Sequence, residues 1–281
     1  MRNSGVSILG GVLISGMLAL GAAAQDRRPS HCIALVENTP GLNLIHRASW
    51  TEPLPEHTIR ISYIDHASFL IQTEGGLSAV TDYTGFLGST SFAPDVATMN
   101  HAHDTHWTAR PDPNITHVLP GWNDAGGPIE HHLDLGEMLV RNVSTDIRSR
   151  FGAGVEEDGN SIFVFEVAGL CIGHLGHLHH EPDKAQYAAL GRLDVVMAAV
   201  DGGTSLDTPT MMRVLNRLKA SVVIPMHWWT FGSLDGFIAG MSEDYDVERP
   251  GGSFLEVSLR NLPERPTIIV LEPAYLREPE Q

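Results

Sequence analysis

The alternation of apolar and polar positions divides the chain into an early strand-rich part and a later part in which helices alternate with strands. "TIRISYI", "SFLIQ" and "LSAVTDY" are short β-type runs parted by "DHA" and "TEGG", the pattern of an antiparallel meander. "DVATMN" is a further apolar run, and "ITHVLPGW" follows it after a Pro-rich turn. Residues 121–136 read as loop. "EMLVRNV" and "SIFVFEVAGLCIGHLG" return to strand character, with a hairpin predicted at Ala168-Gly169. "EPDKAQYAALGRL" and "TPTMMRVLNRLKA" place apolar residues at helical spacing behind an acidic or Thr start. Each leads into a buried-strand run, "DVVMAAV" and "ASVVIPM". "LDGFIAGM" predicts one more short helix and "TIIVLEP" a closing strand. Helices that alternate with strands imply a sheet covered by helices, hence an α/β layered sandwich. No Pro/Gly/Ser linker interrupts the pattern, so a single domain is expected over residues 58–276. Residues 25–57, rich in Pro, polar groups and turns, read as an extended lead-in.

The first 24 residues have a different character. Arg2 precedes the apolar run "VSILGGVLISGMLAL", and "GAAAQ" offers a small-residue cleavage site after Ala24. This is the pattern of a signal peptide, and it predicts an exported protein, periplasmic or secreted, with no stable membrane anchor after cleavage. An uncleaved anchor is the alternative, but the run is short and Gly-rich for a membrane span. Composition adds mainly exclusions. A formal net charge of −16 disfavours nucleic acid, whose phosphates need clustered Lys and Arg, and disfavours adhesion to anionic lipid. Only Cys32 and Cys171 are present. An exported compartment permits a disulfide between them, while the strand-like surroundings of Cys171 equally suit a buried free thiol.

The candidate chemistry lies in the histidines. "MNHAHDTHWT" sets His101, His103 and His106 just beyond an apolar strand run. "CIGHLGHLHH" puts His174 and His177, and "VVIPMHWW" puts His227, directly after two others. Strand ends project functional groups, and imidazole is a common ligand for Zn, Cu, Fe and Ni. A single such histidine is ordinary; several at separate strand ends suggest one metal site. Ser68 and Ser161 lack a nucleophile-elbow context and Cys171 lies within a strand, so a Ser or Cys nucleophile finds no support.

"YIDHASFLIQTEGGLSAVTDY", "TMNHAHDTHW", "GNSIFVFEVAGLCIGHLGH", "LDVVMAAVDGG" and "VVIPMHWW" together resemble the metallo-β-lactamase fold superfamily, on the side of ascorbate-6-phosphate lactonase and the phospholipase D-like hydrolases. The resemblance implies a four-layer αββα sandwich with metal at one sheet edge. It implies that His101, His103 and His174 form one metal site and that His106 and His227 belong to a second. It also implies that Asp82 supports the ligands from behind and that His66 lines the pocket. Two positions depart from the family pattern: Thr105 stands where the second site's Asp is expected, and His177 where a bridging Asp is expected. Asp104 comes one residue early, and Asp201 reads either as facing the site or as a turn residue before Gly202-Gly203.

Two dications at ~3.5 Å repel by about 19 kcal/mol at an effective dielectric of 20, and no bridging carboxylate is certain here to offset this. One tight ion is therefore expected, with a second site weak. The resemblance implies a metal-dependent hydrolase, with zinc in one or two copies or another divalent metal, whose metal-bound hydroxide attacks a small ester, lactone, amide or phosphodiester. The alternatives are a catalytically altered metal- or ligand-binding protein, or a copper or iron redox site.

Overall fold

The computed structural model describes residues 29–33, 49–149, 154–228 and 230–278. The predicted signal peptide and most of the lead-in lie outside the described residues. Two sheets face each other. The first runs in the order Phe254–Val257, Ile59–Asp65, Ser68–Gln72, Ser78–Val80, Val96–Met99, His117–Pro120. The second runs Asp246–Glu248, Thr267–Ile269, Val222–Met226, Val195–Ala199, Leu170–His174, Val155–Val167, Met138–Arg148, His132–Asp134.

The predicted meander is antiparallel as expected, with Arg60 opposite Gln72 and Leu70 opposite Val80. The hairpin at Ala168-Gly169 forms with both residues at positive φ, 51° and 79°. A two-residue turn of that kind matches the twist of the strands it joins. Beyond it the second sheet turns parallel: Leu170–His174, Val195–Ala199 and Val222–Met226 pair side by side in one direction. Helices make the crossovers, as parallel pairing requires.

Alternation along the strands decides which side chains meet. Ile59, Ile61, Tyr63, Phe69 and Ile71 of the first sheet pack between the sheets on Phe163, Phe165, Ile172, Val195, Met197 and Ile224 of the second. The opposite face of the second sheet, with Val164, Val196, Ala198 and Val223, is covered by helices Lys184–Leu190, Thr208–Leu218 and Phe231–Met241 through Leu190, Val214, Leu215, Leu234 and Phe237. The opposite face of the first sheet is covered, among the described residues, by the loop side chains Tyr83, Leu87 and Ile115 and by Leu276 of the short strand Leu276–Arg277, with Trp50, Phe92, Trp107 and Trp122 against them. The αββα sandwich thus carries its described helices on one side.

The helix starts are set by side-chain caps. Asp183 accepts from the Gln186 amide in a reciprocal capping box, Asp207 caps the helix whose Thr208 read as the start, and Thr230 caps the last. Within the two facing sheets, three short strands were not evident in the sequence. His132–Asp134 lies in the stretch read as loop, and Asp246–Glu248 and Phe254–Val257 flank a Pro-Gly-Gly turn. Each is an edge strand held by one neighbour, so its own side chains carry little periodic signal.

Of the lead-in, residues 29–33 are fastened to the helical side of the second sheet. Cys32 and Cys171 form a disulfide across a separation of 139 residues, which decides between the two readings of these cysteines. Beside it the buried Glu166 accepts hydrogen bonds from the Ser30 hydroxyl, the His31 amide and Arg141 Nε, and Arg192 N–H donates to Cys32 O at 2.8 Å.

Candidate metal centre

Chain segments leaving six strands meet at one sheet edge. The turn after Ile59–Asp65 carries His66, the exit from Ser78–Val80 carries Asp82, and the loop after Val96–Met99 carries His101 to His106. The segments after Leu170–His174, Val195–Ala199 and Val222–Met226 bring His177, Asp201 and His227. Three of these residues, His66, Asp82 and His227, hold positive φ of 48°, 42° and 57°. Such a backbone is costly for non-glycine residues and clusters at functional sites. At His66 it is held by one distant and one local bond: the His227 amide and the Tyr63 hydroxyl both donate to His66 O, at 2.9 and 2.8 Å.

The ligand atoms of His66, His103, His106 and His227 lie within 4.8 Å of one another, and those of His177, Asp201 and His227 form an adjoining group. That spacing would let the four rings converge on one divalent ion after a modest inward shift.

Three of the four rings are oriented from behind. His106 Nδ1 lies 2.5 Å from Asp82 Oδ2, and both side chains are fully buried. Asp82 also accepts from Asn100 Nδ2 at 2.9 Å, while Asn100 Oδ1 accepts from the Ser161 amide. His227 Nδ1 lies 2.9 Å from Asp201 Oδ2. The same Asp201 carboxylate accepts from the amides of Gly203, Thr204 and Ser205, so it serves both the site and the turn. Thr105 Oγ1 lies 2.7 Å from His103 Nδ1. With Nδ1 of His106 turned to a carboxylate, its Nε2 is left as the lone pair, and that atom is buried with no hydrogen-bond partner among the described residues. This donor chemistry fits a divalent ion of the zinc type.

Burial pushes His66, His106 and His177 toward the neutral form that metal binding needs. His66 falls to about 2, first through burial and then through its neighbours His227, His106 and His103. His106 and His177 are pushed well below the ordinary histidine value by burial and by the surrounding imidazoles. Burial raises Asp82 to about 6, offset in part by His174 and Asn100. For Asp201 burial acts upward, but the bonds from His227, Ser205 and Gly203 outweigh it and hold the carboxylate below its usual range.

The remaining candidates sit elsewhere. His101 lies outside the four-histidine group: its Nδ1 faces Glu156 Oε1 at 3.3 Å, and its ring stacks on Trp122 with centroids 4.8 Å apart. His174 is fully buried, yet both ring nitrogens are engaged by backbone, Nε2 with Ala67 O at 2.9 Å and Nδ1 with the Gly176 amide at 3.3 Å. Asp104 is exposed on the loop. Asn100 and Arg148 are site-supporting residues that the sequence did not single out, and His179, beside His180 in "GHLHH", supports His177 from behind. Gly176 is required between His174 and His177: at φ +60°, a Cβ there would stand 2.4 Å from Asn160 Oδ1 and 2.5 Å from Asn100 Nδ2.

A family model described as a beta-lactamase superfamily domain matches residues 60–227, the span from the first strand to the last site histidine. The chain belongs to that superfamily. This superfamily member is 24% identical over 194 residues to a UPF0173 metal-dependent hydrolase of Carboxydothermus hydrogenoformans, covering 62% of this chain and 86% of the relative. It is 25% identical over 193 residues to another of that description from Methanospirillum hungatei, covering 63% and 85%. A solved structure from Thermotoga maritima, described as a candidate Zn-dependent hydrolase of the metallo-β-lactamase superfamily, aligns with TM-score 0.52 and 25% identity over 76% of this chain and 98% of its own.

Proposed function

We propose that this chain is an exported zinc hydrolase acting on a small ester, lactone, amide or phosphodiester, with the ion held by His66, His103, His106 and His227. Its standing as a metal-dependent hydrolase follows from the superfamily match and from relatives described by that activity. The observation that carries the site is the Asp82–His106 pair, which leaves a buried Nε2 lone pair among three other imidazoles.

A divalent ion bound by these imidazoles, with a further coordination position open to water, would supply an acidified water and a Lewis acid for a carbonyl or phosphoryl oxygen. The chain supplies the orientation. Asp82 and Asp201 fix the rings of His106 and His227, and burial favours the neutral form of His66 and His106. Export is supported by the N-terminal pattern and by the Cys32–Cys171 pair, since such disulfides persist in oxidising compartments. The net charge of −16 favours a small-molecule substrate over nucleic acid.

Elemental analysis of protein purified without chelator tests the reading, paired with a screen of ester, lactone, amide and phosphodiester substrates. About one zinc per chain, with metal and hydrolysis both lost in His106→Ala, is the expected outcome. Protein that refuses zinc on reconstitution would overturn it, and copper or iron in its place would move the site to redox chemistry, which an all-imidazole group also suits.

A further inference from the structure

His177 occupies the position where the superfamily pattern expects a carboxylate, and its hydrogen bonds determine which form of the ring faces the site. The chain of contacts begins at Arg148, whose backbone N–H donates to His179 Nδ1 at 2.8 Å. His179 Nδ1 is therefore an acceptor and carries no proton. The opposite nitrogen, His179 Nε2, lies 3.0 Å from Thr204 O, a carbonyl that can only accept. Both contacts require the proton of His179 to reside on Nε2. That N–H also faces His177 Nδ1, at 2.8 Å. A protonated nitrogen has no lone pair to offer, so His177 Nδ1 is the acceptor of this pair and is unprotonated. A neutral imidazole with bare Nδ1 has its hydrogen on Nε2. The Nε2 of His177 is buried with no hydrogen-bond partner among the described residues, and its ring lies against those of His103, His106 and His227 with centroids 4.8–4.9 Å away.

We propose that His177 is a hydrogen-bond donor into the cavity, its Nε2–H aimed at an oxygen of the substrate, and that it contributes no lone pair to the metal. The contrast with His106 is direct. There a carboxylate stands behind Nδ1 and makes Nε2 a lone pair; here an N–H donor stands behind Nδ1 and makes Nε2 a donor. The replacement of a ligating carboxylate by this imidazole turns a two-metal arrangement into one ion plus one neutral donor. Such a donor suits a carbonyl or phosphoryl oxygen that gains negative charge as the reaction proceeds. His179 is the positioning residue, and Arg148 fixes it twice: by its backbone N–H and by a guanidinium that donates to the carbonyls of Gly203 and Ser205, on either side of Thr204, at 3.0 and 2.9 Å.

The inference rests on the metal-centre reading for its chemistry but not for its test. Long-range ¹H–¹⁵N correlation spectra of the histidine rings, recorded on metal-free and on zinc-loaded protein, report each tautomer directly. The expected result is Nε2–H for His177 in both forms and Nδ1–H for His106. In His179→Ala the His177 ring should lose its fixed tautomer while zinc content stays the same. His177→Ala should retain zinc within about twofold by elemental analysis and chelator competition, and lose roughly 10²–10³-fold in hydrolysis. An Nδ1–H tautomer at His177, or loss of zinc in His177→Ala, would overturn the proposal. If wild-type protein binds no zinc at all, the metal reading fails by itself, and the tautomer in the metal-free spectrum still decides the role of His177.

Discussion

Asp82 Oδ2 and His106 Nδ1 stand 2.5 Å apart with neither side chain exposed to solvent, across 24 residues of chain. The contact joins the exit of one strand to the loop beyond the next and selects the nitrogen that His106 presents. Asp82→Asn keeps the shape and removes the charge. Partners of this kind typically tune affinity by 10–100-fold, so zinc affinity should fall by about that factor in a chelator competition. The far-ultraviolet circular dichroism should be unchanged.

His101 and His103 are separated by one residue and are predicted to behave oppositely. His103 belongs to the four-histidine group, while His101 faces Glu156 and stacks on Trp122. His103→Ala should lose most of its zinc. His101→Ala should keep it, with equal metal content by elemental analysis; a metal-free His101→Ala would show that the ring swings inward on binding.

Stripping the ion should lower stability as well as activity. A ligand present at 100 times its Kd contributes about 2.7 kcal/mol. For a domain of this size that corresponds to a fall of roughly 5–10 °C in Tm on dialysis against a chelator, restored by stoichiometric zinc.

The Cys32–Cys171 disulfide closes a long loop, its partners 139 residues apart. Loops of this length constrain the unfolded chain most, and a loss of about 2–5 kcal/mol is expected on its removal. Cys32→Ser, or reductant added to the wild type, should lower Tm to a similar extent, measured with zinc held constant.

Glu166 gives the pH dependence of the same strap. Burial raises its pKa, but the bonds from Arg141 and Ser30 outweigh this and hold the carboxyl below the usual range. A depressed folded pKa stabilises the fold above the ordinary carboxylate value, and that contribution disappears as pH falls through the lowered one. Acid titration of wild type and Glu166→Gln should therefore show the gap between them closing toward low pH. At neutral pH the variant leaves Arg141 buried without its partner, at a cost of about 3–5 kcal/mol in a denaturant melt.

The sequence by itself determined the elements and the site's neighbourhood. Period-two runs marked the central strands, helical spacing marked the three crossovers, and strand-end histidines marked the edge where function would sit, because burial writes its periodicity directly into the choice of side chain. It also contained the departures at Thr105 and His177. What it left open was settled by contacts between distant segments. The pairing of Cys32 with Cys171, the edge strands Asp246–Glu248 and Phe254–Val257, and the exchange of His101 for His66 in the histidine group each depend on a partner far along the chain. Side-chain direction at a strand end is set by the turn that follows, and here His66, Asp82 and His227 take left-handed backbone conformations, which His and Asp tolerate better than most residues but which the sequence pattern does not specify. The identity of the nitrogen each histidine offers is decided one step further out, by whether a carboxylate, as at His106, or an N–H donor, as at His177, stands behind the ring.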